Sequence, residues 1–392
     1  MVWDKSDFFA PKFRSKLMNI AAVKTKKQAD AFLNVVRLIY QNDSSYVRPL
    51  DNDIEAVFNP DKNTFYQHGE ATRWILEDAN GRTIGRIAAF INEKKANYEG
   101  KRIGGVGFFE CIDDYAAAEK LFDTAKEWLK ERKVTTVDGP INFGENDQYW
   151  GLLVEGYTPP SYGMAYNAPY YQSFFEQYGF EVKMEQITNE FSIVNGLSPR
   201  FVKIAEYVIS KRPNLETKPF DPKQIDKFAE DFMNIYNSAW AEFENFTPIK
   251  KDYVIETFKK IKPIVDPGII QFAYVNGEPA SFVMCLPDVN QIFQKFDGKL
   301  TLWNKLKFLY LKKTNFIERV RVVVMGSKPE FQNMGLESVL TYRAFQHTIK
   351  NTNVKDIELS WVGDFNEKML AIHKGLGAKP SKKHITYRLE LV

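Results

Sequence analysis

The stretch MGSKPEFQNMGLESVL, residues 325–340, decides the fold because it joins an apolar strand to an apolar helix through a short polar loop. Residues 319–325, RVRVVVM, are rich in β-branched side chains and predict a central strand. The apolar residues after the loop recur at helical spacing, at Leu336, Val339, Leu340 and Ala344. Backbone N–H groups and the helix dipole at such a helix N-terminus favour a phosphate or pyrophosphate. An ordinary strand-to-helix turn is the alternative.

The composition indicates a folded protein of two domains. The chain has 392 residues, of which 44% are hydrophobic and 26% charged, and a net charge of +3 is too small to indicate nucleic acid as a partner. Cys111 and Cys285 lie in apolar runs, which favours two buried free thiols in a reducing compartment. Residues 1–16 are interrupted by charges and do not read as a signal peptide. We therefore expect a cytoplasmic protein.

The second half of the chain repeats landmarks of the first half at a shift of 196 residues. The arithmetic is 224 − 28 = 196 and 277 − 81 = 196, and the pairs that match in type are Gln28 with Gln224, Phe32 with Phe228, Ile39 with Ile235, Tyr40 with Tyr236, and Gly81 with Gly277. The first four pairs follow helical spacing in both halves. We infer a tandem duplication.

Glycines mark equivalent turns in the two halves. Gly81 and Gly277 each follow asparagine between two strand-like runs, which is a hairpin signal. Gly179 and Gly377 each follow a helical stretch and precede a last strand, where glycine suits a left-handed helix end. The sequence predicts an α/β fold of two domains, residues 1–194 and 195–392, each a mixed twisted sheet flanked by helices.

The loop and a later helix resemble the GNAT superfamily of acyl-CoA N-acyltransferases. The pattern Gly326-x-x-Pro329-x-x-Gln332-Asn333-Met334-Gly335-Leu336-Glu337 is similar to its pyrophosphate signature, and residues 366–378 are similar to its last helix and following turn. The resemblance implies a coenzyme A thioester as co-substrate. It implies cofactor contacts at Met325, Gly326, Gln332, Asn333, Met334, Gly335, Leu336 and Asn366. Asn333 replaces a glycine, which is tolerable because asparagine accepts a left-handed backbone conformation, and Glu337 replaces a small residue.

The resemblance also implies direct attack of an amine on the thioester, without a covalent enzyme intermediate. His373 stands where many members of the family have a tyrosine that protonates the leaving thiolate, and it is otherwise a surface histidine. Glu330 and Asp364 are candidate bases for the amine, and are otherwise solvated loop carboxylates. The four histidines lack metal-ligand spacing, so no metal is expected.

The first half has no glycine loop after its corresponding strand. Asp113 and Asp114 stand there instead and would repel pyrophosphate, so this half is expected to bind the acceptor substrate. Loops at residues 139–151 and 159–171 interleave amides, carboxylates and aromatic rings, and are otherwise self-packed surface loops. The candidate substrate-binding residues are Glu110, Asn142, Asn146, Asp147, Trp150, Tyr166 and Asn167.

The two loops of the first half, together with Phe65–Gly69 and Gly105–Glu110, resemble a bacterial subgroup of two-domain GNAT-like proteins, some of which are linked to N-acylation of long-chain bases. Residues 299–313, KLTLWNKLKFLYLKK, alternate lysines with large apolar residues, which is typical of an interfacial helix or of a helix packed on its domain. We predict an acyl-CoA-dependent N-acyltransferase that acts on a small-molecule or lipid amine, with possible peripheral membrane contact through residues 299–313. A catalytically inactive ligand-binding protein of the same fold is the alternative.

Overall fold

The computed structural model describes residues 18–98, 100–194, 196–242 and 248–391. The N-terminal residues 1–16 and Asn195, at the predicted domain boundary, therefore lie outside the described residues. Within the described ranges, every helix is too short or too polar to cross a bilayer. The described chain divides into two compact units. The first comprises the residues up to Gln186 together with Phe296–Leu300 and the residues from Lys382 onward, and the second comprises Ile187–Lys295 and Thr301–Ser381.

The first unit is a mixed sheet flanked by helices. Its strands follow the order β1-β2-β3-β5-β6-β14, and neighbouring strands are antiparallel except for the parallel pair β5 and β6. The elements in chain order are β1 Asn19–Ala22, α1 Lys26–Asn34, α2 Val36–Ile39, α3 Asp51–Val57, a 3-10 helix Thr64–His68, β2 Gly69–Glu77, β3 Thr83–Asn92, β4 Asn97–Tyr98, β5 Lys101–Cys111, α4 Tyr115–Glu131, β6 Thr136–Gly139, β7 Leu152–Glu155, α5 Tyr171–Tyr178, β8 Glu181–Ser192, whose residues after Gln186 belong to the second unit, and β14 Lys379–Glu390, whose residues from Lys382 belong to the first.

The second unit has the same layered plan. The strand order is β8-β13-β12-β11-β10-β9, with β12 and β13 parallel and the pairs β12–β11, β11–β10 and β10–β9 antiparallel. Its elements are α6 Pro199–Lys211, β9 Leu215–Pro219, α7 Ile225–Ala239, α8 Lys251–Ile261, a 3-10 helix Pro267–Ile269, β10 Ile270–Val275, β11 Glu278–Pro287, α9 Asn290–Phe293, α10 Leu302–Lys313, β12 Arg319–Ser327, a 3-10 helix Pro329–Phe331, α11 Leu336–Asn351, β13 Asp356–Gly363 and α12 Glu367–Leu376.

Strand register relates the two units residue by residue. Arg86 of β3 faces Glu110 of β5, and Phe282 of β11 faces Gly326 of β12. Arg86 and Phe282 are related by the predicted shift, since 282 − 86 = 196, whereas Glu110 and Gly326 are 326 − 110 = 216 residues apart and correspond only through the strand register. The predicted Asn-Gly hairpins join β2 to β3 and β10 to β11, with φ of +74° at Gly81 and +81° at Gly277. The tandem architecture is confirmed, with a mixed sheet flanked by helices in each unit.

The last strand of the chain completes the core of the first unit. Residues Thr136–Gly139 of β6 pair with Tyr387–Glu390 of β14. Ile385 and Tyr387 are buried in the same apolar cluster as the residues of α4 and β3. The predicted division at residues 194 and 195 follows the repeat in the sequence, whereas the compact units assign the chain end to the first unit. Alternating apolar residues identify a strand, but they do not tell which sheet it joins.

Candidate functional site

In the second unit, β12 and β13 part after four residue pairs. They are paired from Arg319 with Asp356 to Val322 with Leu359, although β12 continues to Ser327 and β13 to Gly363. Met284 and Cys285 of β11 face Val324 and Val322, so β12 has one extra residue here, a bulge at Val323. Beyond Val322 the backbone edge of β12 that faces β13 is therefore not used by the parallel ladder.

The loop after β12 has the backbone conformation that the sequence predicts. Asn333 has φ of +61° and Gly335 has φ of +75°, so both lie in the left-handed region. Gly335 is the N-cap of α11, and no side chain caps this helix. The first N–H groups of a helix have no acceptor within the helix, so those of α11 are donors that point toward the loop. Gln332 and Asn333 are exposed, and Met334 is half-buried.

Glu337 lies in the first turn of α11, where its carboxylate accepts a hydrogen bond from the Ser327 hydroxyl at the end of β12. The same hydroxyl lies 2.8 Å from the Ser281 hydroxyl, so the three side chains link β11, β12 and α11. A carboxylate at this position is stabilised by the helix dipole, and it repels an anion bound at the helix N-terminus. Glu337 therefore helps to hold β12 against α11, while its negative charge weakens the binding of an anion at the same helix N-terminus.

The surface of β12 at Gly326 is covered by an indole ring. A Cβ atom added to Gly326 would lie 2.5 Å from the Trp240 ring, which explains why glycine occupies this position. Trp240 in turn stacks on Tyr236, with ring centroids 4.5 Å apart. Met325 is buried in the apolar core, so its backbone is the part of this residue that lies along the strand edge.

His373 lies on α12 and is almost completely buried, with 3% of its surface exposed. The Asn189 amide nitrogen lies 3.1 Å from its Nδ1 atom. An amide nitrogen donates, so Nδ1 accepts and Nε2 carries the proton. Burial lowers the pKa of His373 to about 4, which makes the ring neutral at pH 7. A role in proton donation stays a prediction, and it would have to use the neutral ring.

The remaining predicted site residues of the second half, Glu330, Asp364 and Asn366, lie on three different elements. Glu330 lies on the 3-10 helix after β12 and is exposed, as is Asp364 in the turn after β13. Asn366 is the N-cap of α12 and accepts a hydrogen bond from Met369 N at 3.2 Å. The Asn366 side-chain oxygen is thus engaged in capping the start of this helix. Roles for these three residues toward substrate or cofactor stay predictions.

A cavity of about 80 Å³ lies in the first unit, above the bulge in β5. Aromatic rings form much of its wall, those of Tyr46, Phe108, Tyr149 and Tyr166 among them. Phe108 and Tyr149 have φ of +51° and +50°, which is unusual for bulky residues. Strained backbone of this kind is concentrated at functional sites. The volume is sufficient for a polar head group of a few atoms.

Glu110 lines this cavity and is the centre of its polar network. Its carboxylate accepts hydrogen bonds from the hydroxyls of Tyr40 at 2.7 Å and Tyr171 at 3.0 Å, and a longer one from Arg86 at 3.4 Å. Burial raises the pKa of Glu110, although the charge of Arg86 and the tyrosine hydrogen bonds act in the opposite direction. A carboxylate has about four acceptor positions, so one more donor can be accommodated.

Two other predicted substrate residues line the cavity. The Tyr166 hydroxyl donates to Asp43 at 2.6 Å. The Asn167 amide bonds to both the N–H and the C=O of Leu153, at 2.8 and 3.1 Å, and so fixes the loop to β7. Elsewhere, Asn146 and Asp147 are exposed, Trp150 packs on the cluster around Phe143, and Asn142 is buried with an amide oxygen that has no hydrogen-bond partner among the described residues.

The strand separation in the first unit is filled by the chain itself. Parallel pairing of β5 with β6 ends at Gly105 with Asp138. Ile141 N then donates to Val106 O at 2.8 Å, and Ile141 O lies only 1.9 Å from where a Cβ of Gly107 would be. At the start of α4, Asp114 caps the helix by accepting from Ala116 N at 3.0 Å. At this place in the first unit, the edge of β5 is therefore covered by Ile141 and the start of α4 is capped by Asp114, so neither is open to a pyrophosphate.

Sequence reasoning missed the partners of Glu110, which are Tyr40, Arg86 and Tyr171. Arg86 carried a usable signal, because it is the one charged residue in the apolar run Thr83–Ile91. A charge in a strand that is buried on both faces needs a counter-charge. In the second unit, Phe282 and Gly326 occupy the equivalents of Arg86 and Glu110, so the ion pair belongs to the first unit alone.

Comparisons with known proteins agree with the tandem architecture. The chain is 26% identical over 384 residues to "Bacterial ceramide synthase" of Caulobacter vibrioides, which covers 95% of this chain and 98% of that protein. It is 25% identical over 371 residues to "Protein YghO" of Escherichia coli, covering 93% of this chain and 94% of that protein. No protein-family model matches the chain.

Among solved structures, a tandem GNAT protein from the clavulanic acid biosynthesis pathway is similar to 95% of this chain over 98% of its own length. The TM-score is 0.57 and the identity 10%. A GCN5-related N-acetyltransferase from Sphaerobacter thermophilus gives 0.54 at 10% identity, over 95% of each chain. The chain has the tandem GNAT fold, as the sequence predicted.

Proposed function

We propose that this protein is an N-acyltransferase that moves an acyl group from a coenzyme A thioester to a primary amine, and that the amine is a long-chain or lipid amine. The observation that carries the proposal is the strand edge of β12, which leads directly into the uncapped N-terminus of α11. The tandem GNAT fold supports the same activity. The second unit is proposed to bind the thioester, and the first unit the amine.

The second unit has the groups that a pantetheine and a pyrophosphate require. Beyond Val322 the edge of β12 supplies backbone donors and acceptors to an extended amide chain. Asn333 and Gly335 turn the loop so that the first N–H groups of α11 converge on a bound anion. Glu337 opposes this anion, which predicts weaker binding than a small residue would give.

The cavity of the first unit has the groups that an amine requires. The Glu110 carboxylate can hold an ammonium ion by charge and a hydrogen bond, and it can accept the proton that the amine must lose before it attacks. Aromatic rings such as Tyr46 and Phe108 attract cations through their faces. A volume of about 80 Å³ suits the polar end of an amine and not a long chain. The relative named "Bacterial ceramide synthase" supports a long-chain amine, since a ceramide is an N-acylated long-chain base.

The proposed reaction forms a C–N bond and breaks a C–S bond. The amine nitrogen attacks the thioester carbonyl, the negative charge develops on the carbonyl oxygen, and the coenzyme A thiolate leaves with the electron pair of the C–S bond. The amine proton passes to a base, and the thiolate is protonated. Because an unperturbed thiol has a pKa of about 8.5, the thiolate leaves readily without a strong acid. A neutral His373 is compatible with this step.

The test has two stages, binding and turnover. A ligand that binds the native state raises its melting temperature, so acetyl-CoA and palmitoyl-CoA are titrated first, and release of coenzyme A is then followed with short and long-chain amines. We expect stabilisation by palmitoyl-CoA and turnover with a long-chain amine. Stabilisation without turnover on any amine would favour an inactive ligand-binding protein. The absence of stabilisation by both thioesters would overturn the proposal.

A further inference from the structure

Helix α10, Leu302–Lys313, presents large apolar side chains to solvent. The exposed fractions are 71% for Leu302, 80% for Trp303, 51% for Leu306, 56% for Leu309 and 67% for Tyr310. No residue of this helix is buried. Contiguous exposed apolar surface of this kind marks an interaction site more often than a chance surface feature. The sequence left open whether these residues pack against the domain, and in the structure five of them do not.

The exposed residues form one stripe along the helix. At about 100° per residue, Leu302, Trp303, Leu306, Leu309 and Tyr310 fall within an arc of about 120°. The less exposed residues Asn304, Phe308 and Leu311 lie on the opposite side. Phe308 packs on Phe293 with ring centroids 5.7 Å apart, and Lys312 Nζ donates to Pro263 O. The helix is therefore attached by one face, and its other face is directed away from the domain.

Lysines border the apolar stripe. Lys305 lies on one side of it and Lys307 on the other, both exposed, and Lys313 lies at the end of the helix. Leu302–Lys313 contains four lysines and no acidic residue. An apolar stripe with lysines at its borders matches the interface of a bilayer, where apolar side chains enter the acyl boundary and ammonium groups meet anionic head groups. A protein partner would not require the uniformly positive border.

We propose that α10 binds the surface of an anionic phospholipid bilayer, with the apolar stripe inserted and Lys305, Lys307 and Lys313 at the head groups. The apolar and the electrostatic contributions to membrane binding can be separated by their dependence on salt. Insertion of Trp303 and Leu306 does not depend on salt, whereas attraction of the lysines is screened within about 10 Å at about 0.1 M salt. The proposal goes beyond the proposed function and does not depend on it, because it would hold for a protein of this fold without activity.

The test is flotation of the full chain with vesicles of phosphatidylcholine alone or with phosphatidylglycerol. We expect binding to the anionic vesicles, weak binding to the neutral ones, and weakening by salt. A lysine near an anionic surface contributes roughly fivefold to binding, so Lys305→Glu with Lys307→Glu should weaken it by at least about 25-fold. Trp303→Ser with Leu306→Ser should abolish binding even at low salt.

Matched variants distinguish this surface from general effects of charge and hydrophobicity. Lys26→Glu with Lys27→Glu makes the same change in net charge on an exposed part of α1, and Tyr253→Ser removes an exposed aromatic ring from α8. Both should float as the unchanged protein does. If the charge control weakens binding as much as the α10 lysine variant, the proposal is overturned.

A probe on the helix tests insertion directly. Leu306→Cys can be labelled selectively with an environment-sensitive dye because Cys111 and Cys285 are buried. We expect its emission to shift to the blue on addition of anionic vesicles. If the emission is unchanged while the protein floats, or if the stripe instead joins two copies that separate on Trp303→Ser without any lipid binding, the proposal is wrong.

Discussion

The Glu110 side chain combines a charge with burial, and its neighbours determine when it is ionised. Two tyrosine hydroxyls and Arg86 stabilise the carboxylate, while burial favours the protonated acid and raises the pKa. A group that must accept a proton is then effective only above this raised pKa. The pH dependence of activity is therefore a residue-scale test of the proposed acceptor site.

We expect kcat/KM with an amine to fall on acidification, with a midpoint above the ordinary glutamate pKa of about 4.3. Glu110→Gln should lower kcat/KM by about 100-fold or more, because the carboxamide cannot accept the proton. The exposed carboxylate Glu131 provides the control, and Glu131→Gln should leave the rate unchanged. Full activity of Glu110→Gln would exclude this residue as the base.

His373 is predicted to affect stability at acidic pH. Its folded-state pKa of about 4 lies below the ordinary value of 6.5, so between these values the unfolded chain binds more protons. The contribution is present above pH 6.5 and is lost as pH falls toward 4. From about pH 7.5 to about pH 5, the unchanged protein should lose about 2 kcal/mol more than His373→Gln does. Urea unfolding at both pH values measures this, and an equal loss in the two proteins would contradict it.

Residue-level prediction succeeded where backbone conformation was the signal. Asn333 was expected in the left-handed region and has φ of +61°, and Gly179 and Gly377 end their helices in that region. Prediction was incomplete where the site depends on residues that are distant in the sequence and close in the fold. Glu110 was named from its place in the sequence, but Tyr40 comes to it from the end of α2 and Tyr171 from the start of α5, and one sequence without a fold does not show that they meet.

At the scale of elements, the same strand–loop–helix unit has diverged in two directions. In the second unit, β12 and β13 separate and α11 has no side-chain cap. In the first unit, residues around Ile141 fill the separation and Asp114 caps α4. The predicted difference between the halves rested on the missing glycine loop. The filling by Ile141 was not predictable, because nothing in the pattern of a loop shows which edge it covers.

Glu337 is the element-scale test of the loop. Glu337→Gln keeps a hydrogen-bond acceptor for Ser327 and removes the negative charge from the start of α11. We expect coenzyme A to bind about 3- to 10-fold more tightly, since a charge at a helix N-terminus contributes about 0.3–1 kcal/mol and direct repulsion adds to it. Calorimetric titration measures the affinity. Glu330→Gln, in the neighbouring exposed 3-10 helix, is the control, and an unchanged affinity of Glu337→Gln would show that no anion binds there.

At the scale of the whole molecule, the two compact units are not successive halves of the chain, because the C-terminal strand from Lys382 onward belongs to the first unit. Ile385 and Tyr387 come from the C-terminal strand and are buried in the core of the first unit. The repeat made the fold of each half predictable, because equivalent landmarks recur at nearly one shift, 277 − 81 = 196 and 377 − 179 = 198 residues. The destination of the last strand was not predictable, because an alternating pattern suits either sheet.

Tyr387→Ala should therefore destabilise the first unit, by about 3–5 kcal/mol for loss of a fully buried aromatic ring. Phe345→Ala removes an equally buried ring from the second unit and is the matched control. Hydrogen exchange resolves the two effects: the amides of β5 and β6 should lose protection in the first variant, and those of β10 and β11 in the second. Loss confined to β10 and β11 in Tyr387→Ala would contradict the assignment.

The place of β14 also has a consequence for synthesis. When Gln186 has been made, β6 still lacks the neighbour that pairs with Thr136–Gly139, because Tyr387–Glu390 is complete only 390 − 186 = 204 residues later. At roughly 5–20 residues per second, the delay is roughly 10–40 seconds. During this interval the nascent protein carries an unpaired strand edge, which is where chains aggregate. A ribosome that stalls before Tyr387 would thus carry a nascent polypeptide whose earliest part is the unfinished one.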